Sequence, residues 1–378
     1  MNFPFFHRKE KFLVVGVAPQ RTTGLLLSLD EDRNLKPEKF WEDFSFKMLG
    51  SKPLQALRKK KLIVAADPAF VTTLSFPSEF EREESDYDRP VSAPELERLI
   101  SQAIDKEFHR YRSEAGRCLD SDELDAVLVG ARAANFKVDG HKVSSPIGFR
   151  GKTLGAVVEL TFTNRAIFDD FKDFFNSRGG FHFTGIAEAG LRMLSLVGKH
   201  PINLLAISRD GSRAFTLDKS AWGESVRRRS LDWSFASLFE AIAGAVPVNR
   251  DTVVNFYYDR INNDVSENFA RALGRVMKPV CDRFFSELKR SRLAGPVYVH
   301  SPVPLPFSLP HARGRTRLEE LPIEKIIEKL GFAARLSEWQ MPASDVFAHL
   351  APFLDFYYDK SNSEINRRLN RRLHWLAE

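Results

Sequence analysis

Two stretches of the chain share one pattern: an apolar run, a short polar turn and a second apolar run. Residues 12–29 (FLVVGVAPQRTTGLLLSL) form the first, and residues 202–220 (INLLAISRDGSRAFTLDKS) form the second. The Asp210-Gly211 pair in the second turn is a strong hairpin signal between apolar runs. Each hairpin opens one half of the chain, which favours two α/β lobes that face each other across a cleft. Alternatively, the two hairpins are unrelated, since any α/β protein contains several.

A block with a different spacing of apolar residues separates the two hairpins. Ser92 is placed to cap a helix whose apolar residues recur at helical spacing, with Pro94 in the first turn. Strand patterns follow at residues 125–131, 135–140 and 154–162, and a further helix pattern ends at Gly179 and Gly180. One helix and about three strands predict an inserted α+β subdomain. The predicted units are a first lobe at 1–89 and 166–200, the insert at 90–165, a second lobe at 201–358, and a tether with a terminal helix at 359–378.

Charge and cysteine content indicate the cellular compartment and the kind of surface that the protein binds. The 378 residues carry a net charge of +6, with basic clusters at 57–61, 226–230 and 366–375 that suit an anionic surface. Two widely separated cysteines without metal-binding spacing predict a reducing compartment. No apolar run reaches the length of a spanning helix, and the start of the chain lacks a secretory signal pattern. We expect a cytoplasmic protein that is peripheral on the inner face of the cell membrane.

The last fifteen residues have the pattern of an interfacial helix. Apolar residues recur at steps of four, four and three along one face, and arginines surround them. Such a helix would insert its apolar face at an anionic leaflet while the arginines meet phosphate. The alternative is a terminal helix packed on the protein with solvated arginines. The predicted membrane residues are Ile365, Arg367, Arg368, Leu369, Arg371, Arg372, Leu373, Trp375 and Leu376.

A family resemblance lies in the inserted block. Phe136-Lys137-Val138-Asp139-Gly140, then residues 145–149 (SPIGF) and 151–154 (GKTL), resemble the inserted subdomain of the bacterial cell-division protein FtsA. The resemblance implies a two-lobed actin-like ATPase fold, a ribonuclease H-like duplication, with a small α+β subdomain of the SHS2 type. The related actin-like platform protein of type IV pilus assembly, PilM, resembles the same fold and shares the inserted subdomain.

The nucleotide motifs of that family are degraded in this chain. Gly16 and Ala206 stand where the family has metal-positioning aspartates, and Ser301-Pro302 replaces glycines of the adenosine turn. Without those acids, hydrolysis loses the Mg²⁺ that stabilises its transition state, and Pro302 removes a backbone donor. We predict no catalytic residue, no metal ligand and no efficient ATP hydrolysis, while binding of ATP stays open. The candidate phosphate-binding residues are Gln20, Arg21, Thr22, Thr23, Ser208, Arg209, Asp210, Gly211 and Ser212.

The resemblance implies a scaffold function. An FtsA-type protein tethers filaments of the tubulin-like protein FtsZ to the membrane and can polymerise, so the expected partners are an FtsZ-like protein, an anionic membrane and a second copy. The pilus platform is the nearest alternative. An active ATPase or sugar kinase on the same fold is an alternative of another class, and it needs an acid in the cleft, for which Asp210 is the candidate. Binding of nucleic acid would account for the charge but not for the apolar face of the terminal helix.

Overall fold

The first lobe is built on a five-stranded sheet. The computed structural model describes residues 9–50, 62–175, 182–220, 223–246, 248–314, 316–358 and 364–372. The strands of this sheet are β1 (Glu10–Val17), β2 (Thr22–Leu29), β3 (Leu35–Trp41), β4 (Leu62–Ala66) and β9 (His182–Gly185). Their order is β3-β2-β1-β4-β9, in which β1 pairs antiparallel with β2 and parallel with β4.

The second lobe repeats this arrangement in a separate sheet. Its order is β12-β11-β10-β13-β15-β14, and β10 pairs antiparallel with β11 and parallel with β13. The strands are β10 (Ile202–Ile207), β11 (Ser212–Ser220), β12 (Gly223–Leu231), β13 (Pro296–His300), β14 (His311–Arg313) and β15 (Thr316–Glu319). The two predicted hairpins therefore occupy equivalent positions in two sheets, and the two-lobed actin-like fold is confirmed.

Nine helices lie in the described part of the chain. They are α1 (Ala93–Cys118), α2 (Arg165–Phe175), α3 (Ile186–Ser195), α4 (Phe235–Ala245), α5 (Arg250–Ile261), α6 (Glu267–Ser291), α7 (Ile323–Lys329), α8 (Ala343–Tyr358) and α9 (Glu364–Arg372). The capping box between Ser92 and Glu95 starts α1, as its sequence pattern indicates. Within the described residues, no helix is both long and apolar enough to cross a bilayer.

Two helices, α3 and α8, fill the space between the two sheets. Apolar side chains of both sheets join theirs in one cluster, and every residue from 345 to 355 of α8 is buried. α8 contacts β1, β4 and β9 of the first lobe as well as α3. The last helix of the predicted second lobe, 201–358, therefore contacts both lobes. A helix that is apolar all round needs cover on every side, which the space between two sheets supplies.

The insert is larger than predicted. Its sheet has the order β5-β8-β6-β7, formed by β5 (Val71–Glu81), β6 (Ala126–Val138), β7 (His141–Lys142) and β8 (Thr153–Asn164). β5 pairs with β8 along its whole length, so the insert begins near residue 71 and not at 90. Leu74, Phe76 and Phe80 face the core beneath α1, whereas the alternate residues, apart from Pro77, are polar. That alternation is typical of a strand with one solvent-exposed face.

The terminal helix α9 packs on the insert, which corrects the expectation for its apolar face. Ile365 and Leu369 are 3% and 2% exposed and belong to the apolar core of the insert. In this structure they therefore face protein and do not offer an apolar surface to a membrane. Leu373, Trp375 and Leu376 lie outside the described residues. The free edge of β6 carries small residues, Gly130, Ala131 and Ala133, that let a helix approach closely.

Candidate functional site in the cleft between the lobes

The first hairpin places its turn against α8. The backbone N–H of Ala18 donates to the carbonyl of Arg21 and closes the turn. Gln20 is exposed, whereas the Arg21 guanidinium contacts the Asp345 carboxylate at 2.6 Å. The carbonyl of Thr22 accepts from the N–H of Phe44, and Thr23 is buried. These predicted phosphate-binding residues are thus largely engaged by the protein itself.

The second hairpin closes its own turn. The N–H and the hydroxyl of Ser208 both donate to the carbonyl of Gly211, at 2.8 and 2.9 Å. The carbonyl of Arg209 accepts from the N–H of Ala236 in the first turn of α4. Arg209 and Asp210 are exposed, whereas Ser212 is buried and its hydroxyl has no hydrogen-bond partner among the described residues. The structure thus places the candidate acid Asp210 at the surface of the turn.

The position of the first missing acid is filled from α8. A Cβ atom on Gly16 would lie 3.1 Å from Thr23 Oγ1 and 3.5 Å from His349 Nε2. His349 is fully buried, and its Nδ1 donates to the carbonyl of Asp345 at 2.7 Å. Its Nε2 therefore accepts from the Thr23 hydroxyl at 3.2 Å. Burial lowers the pKa of His349, which keeps the imidazole neutral beside Gly16.

The position of the second missing acid is filled by an aromatic contact. Ala206 lies opposite His300 in the parallel register of β10 and β13. The His300 ring lies 4.8 Å from the ring of Phe347 on α8, and both side chains are buried. A Cβ on Gly190 of α3 would lie 2.4 Å from Phe347 Cζ, so this glycine leaves room for the phenylalanine. Burial lowers the pKa of His300 to about 4.

These residues do not fit a Mg²⁺-bound ATP. The two acid positions hold a glycine and an alanine, and neutral imidazoles and Phe347 occupy the adjacent space. Within the described ranges, no three histidine, cysteine or acidic side chains form a group that could hold a metal ion. A phosphate chain with its metal needs carboxylates with free space beside them, which these two positions do not provide.

Charged residues of the second lobe reach across to the first. The Arg228 guanidinium on β12 donates to the carbonyl of Pro68, just after β4, at 2.6 Å. Arg213 on β11 contacts Asp120 at the end of α1, at 3.3 Å. Nearby, burial raises the pKa of Asp67, and the positive charges of the two arginines partly oppose this. These contacts tie both the first lobe and the insert to the second lobe.

A polar pocket of about 320 Å³ opens between the insert, α3 and the far end of the β11–β12 hairpin. Charged side chains of both signs line it, among them Arg132, Glu159, Glu188, Arg192 and Lys219. Glu188 is 1% exposed, and its Oε2 has no hydrogen-bond partner among the described residues. Burial raises the pKa of this carboxyl. The pocket lies outside the predicted site, which concerned only the hairpin turns.

This chain is similar to solved structures but to no known sequence family. No protein-family model and no curated protein sequence matches this chain. The PilM–PilN type IV pilus biogenesis complex aligns over 91% of this chain and 96% of its own, with 13% identity and a TM-score of 0.45. A dehydratase activator from Clostridium difficile with bound ADPNP aligns over 91% and 92%, with 7% identity and a TM-score of 0.33. A Bacteroides thetaiotaomicron protein with actin-like ATPase fold and unknown function aligns over 87% and 90%, with 8% identity and a TM-score of 0.34.

Sequence reasoning missed the residues that close the cleft. His300, Phe347 and His349 come from β13 and α8, far along the chain from the hairpins that they contact. One signal was present: residues 343–358 (ASDVFAHLAPFLDFYY) are apolar on all sides of a helix, which is typical of a fully buried element. The sequence alone does not give the surface against which such a helix packs.

We expect the buried His300 to make the protein sensitive to mild acid. The unfolded chain takes up a proton on this imidazole near pH 6.5, whereas the folded protein resists protonation until about pH 4. Stability therefore falls as pH falls through this window, by up to about 3 kcal/mol. Urea unfolding of His300→Leu should show a weaker loss between pH 7 and pH 4.5, while replacing the exposed His141 by leucine should keep the wild-type dependence. Equal pH dependence in all three proteins would contradict this.

Proposed function

We propose that this chain is a non-hydrolysing scaffold of the FtsA type, built on the actin-like fold and acting at the inner face of the cytoplasmic membrane. One observation carries the non-hydrolysing part. His349 fills the space beside Gly16, while His300 and Phe347 fill the space beside Ala206. The hairpins of the ancestral nucleotide site then serve to join the lobes through α8.

The insert supports the FtsA-type part of the proposal. Asp139 has a positive φ, and its Oδ1 accepts from the N–H groups of Lys152 and Thr153, both at 2.8 Å. A Cβ on Gly151 would lie 2.6 Å from Val138 Cγ1, so this position requires a residue without a side chain. The residues that carry the family resemblance are therefore those that hold the turn between β6 and β8.

The proposed partners are an FtsZ-like filament, an anionic membrane and a second copy of the chain. Ile147 and Phe149 are 42% and 49% exposed on the insert, where an apolar pair of this kind suits a protein contact. The basic C-terminal segment suits an anionic surface once it leaves the insert. No nucleic acid is part of this proposal.

The pilus platform is the second candidate. A membrane-facing tail, together with the Asp139-Gly140 and Pro146-Ile147-Gly148 pattern, favours division over pilus assembly. In the structure Ile365 and Leu369 are buried on the insert, which weakens the argument from the tail. An active ATPase or sugar kinase has less support, because Asp210 is exposed on its turn and His349 occupies the space beside Gly16.

Two measurements test this function. Purified protein with ATP and Mg²⁺ should release no phosphate above a blank, and ATP should not raise its melting temperature, because the space beside both acid positions is filled. Asp210→Asn should behave like the wild type in both assays. Mg²⁺-dependent turnover that is lost in Asp210→Asn would overturn the proposal. Co-purification from native membranes then distinguishes the two scaffolds, since an FtsZ-like partner supports division and pilus components support the alternative.

A further inference from the structure

Two asparagines of α9 bind the free edge of the insert's sheet. The N–H of Ala133 donates to Asn366 Oδ1 at 2.8 Å, and Asn366 Nδ2 donates to the carbonyl of Ala133 at 3.3 Å. The N–H of Ala131 likewise donates to Asn370 Oδ1 at 3.0 Å, and Asn370 Nδ2 donates to the carbonyl of Ala131 at 3.1 Å. The side-chain amides thus replace the backbone of a neighbouring strand. Among the described strands, none pairs with this part of β6 on that side.

The spacing of the two elements explains the match. Four residues of helix advance about 6 Å, and two residues of strand advance about 6.6 Å. Asparagines four apart on α9 therefore meet residues two apart on β6. The repeat Asn-Arg-Arg-Leu, at residues 366–369 and again at 370–373, encodes this spacing together with the apolar step.

Further contacts hold α9 in place. Ile365 and Leu369 enter the core between β6 and α1. Arg368 lies 3.6 Å from the buried carboxylate of Glu97 on α1. Two of the apolar side chains that a membrane would take up, Ile365 and Leu369, are thus already buried in the protein.

We propose that α9 is a latch that occupies either the edge of β6 or an anionic membrane surface, but never both at once. The inference rests on the membrane role proposed above. Ile365 and Leu369 cannot lie in the core of the insert and in lipid at the same time, so membrane binding must release the helix. Release uncovers the N–H and carbonyl groups of Ala131 and Ala133, which are the groups that pair strands at a sheet edge.

Two variants of the full-length chain open the latch from opposite sides. Asn366→Ala/Asn370→Ala removes the edge hydrogen bonds and keeps the apolar and basic residues of α9. Gly130→Val leaves the sequence of α9 unchanged and adds a side chain to β6, whose Cβ would lie 3.4 Å from Thr161 Cβ and 4.0 Å from Asn370 Oδ1. A double replacement of the exposed Asn262 and Asn268 by alanine serves as the control.

The measurements are amide exchange at Ala131 and Ala133, and sedimentation with vesicles of phosphatidylcholine and phosphatidylglycerol. Both latch variants should exchange these amides faster and bind the vesicles about tenfold more tightly than the wild type, because binding no longer has to break the edge contacts. Adding vesicles to the wild type should speed exchange at the same two amides. The control should match the wild type throughout.

The outcomes separate the latch from the membrane role. If the variants exchange faster but bind vesicles with wild-type affinity, the helix and the membrane do not compete and the latch proposal is wrong. If the opened variants exchange faster yet neither they nor the wild type sediments with vesicles, the membrane role itself fails and the latch falls with it. Unchanged exchange in both variants would show that α9 does not protect this edge, and would also overturn the latch.

Discussion

Replacing Arg192 by methionine is expected to lower the free energy of unfolding by about 3–5 kcal/mol. Arg192 on α3 donates to both carboxylate oxygens of Asp355 on α8, at 2.6 and 2.8 Å. The Asp355 side chain is 5% exposed, so the variant leaves a buried carboxylate without its guanidinium. Urea unfolding at neutral pH measures this loss of stability. Because the ion pair links α3 to α8, its removal should weaken the packing between the two lobes.

A surface ion pair of equal length is the matched control. Arg283 contacts Asp232 at 2.6 Å, but the two side chains are 51% and 77% exposed. Arg283→Met should therefore cost about 1 kcal/mol or less. Arg192→Met/Asp355→Leu should recover much of the loss, because no buried charge remains. Equal stability of the Arg192→Met and Arg283→Met proteins would contradict a supporting role for the buried pair.

The same pair fixes the direction of an acid effect. The Arg192 guanidinium and the His182 side chain hold the pKa of Asp355 well below its usual range, against the opposing effect of burial. The pair therefore contributes its full stability above the unfolded pKa of about 4 and loses it as pH falls further. The difference between the wild type and Arg192→Met should narrow below pH 4.

Restoring the missing acid by Gly16→Asp is expected to destabilise the protein by about 3 kcal/mol or more without creating ATPase activity. The new Cβ would crowd Thr23 Oγ1 at 3.1 Å and approach His349 Nε2 at 3.5 Å. The carboxylate would then lie in a buried cleft whose neighbouring imidazole is kept neutral. Thermal unfolding and phosphate release together measure the two parts of this prediction.

Gly211→Asp is the control for the new side chain. A Cβ at Gly211 meets no atom within 4 Å, so this replacement on the second hairpin should change stability by about 0.5 kcal/mol or less. The two variants thus compare the same glycine-to-aspartate replacement at a crowded position and at an open one. A Gly16→Asp protein with wild-type stability would show that the first acid position has room for a ligand.

Local patterns in the sequence were sufficient to predict both hairpins. Each depends on neighbouring residues: apolar runs that form buried strands and a turn such as Asp210-Gly211. The alternation along β5 was harder to detect, because Ser78 interrupts the core-facing series of Leu74, Phe76 and Phe80, and Pro77 lies between the last two apolar positions. The insert was therefore predicted to begin too late, although its later strands were found.

The sequence by itself indicated the two hairpins, the helix and later strands of the insert, and the lack of a carboxylate at Gly16 and Ala206, because strand periodicity, turn residues and residue identity are local properties. Only the tertiary structure decided where α8 and α9 pack. An apolar face shows that a helix must be covered, but lipid and a protein core satisfy it equally well. The surface that covers each helix is decided by shape and hydrogen bonding at sites distant in sequence. Gly16 and Gly190 make room for α8, and the edge of β6 has the spacing that Asn366 and Asn370 require.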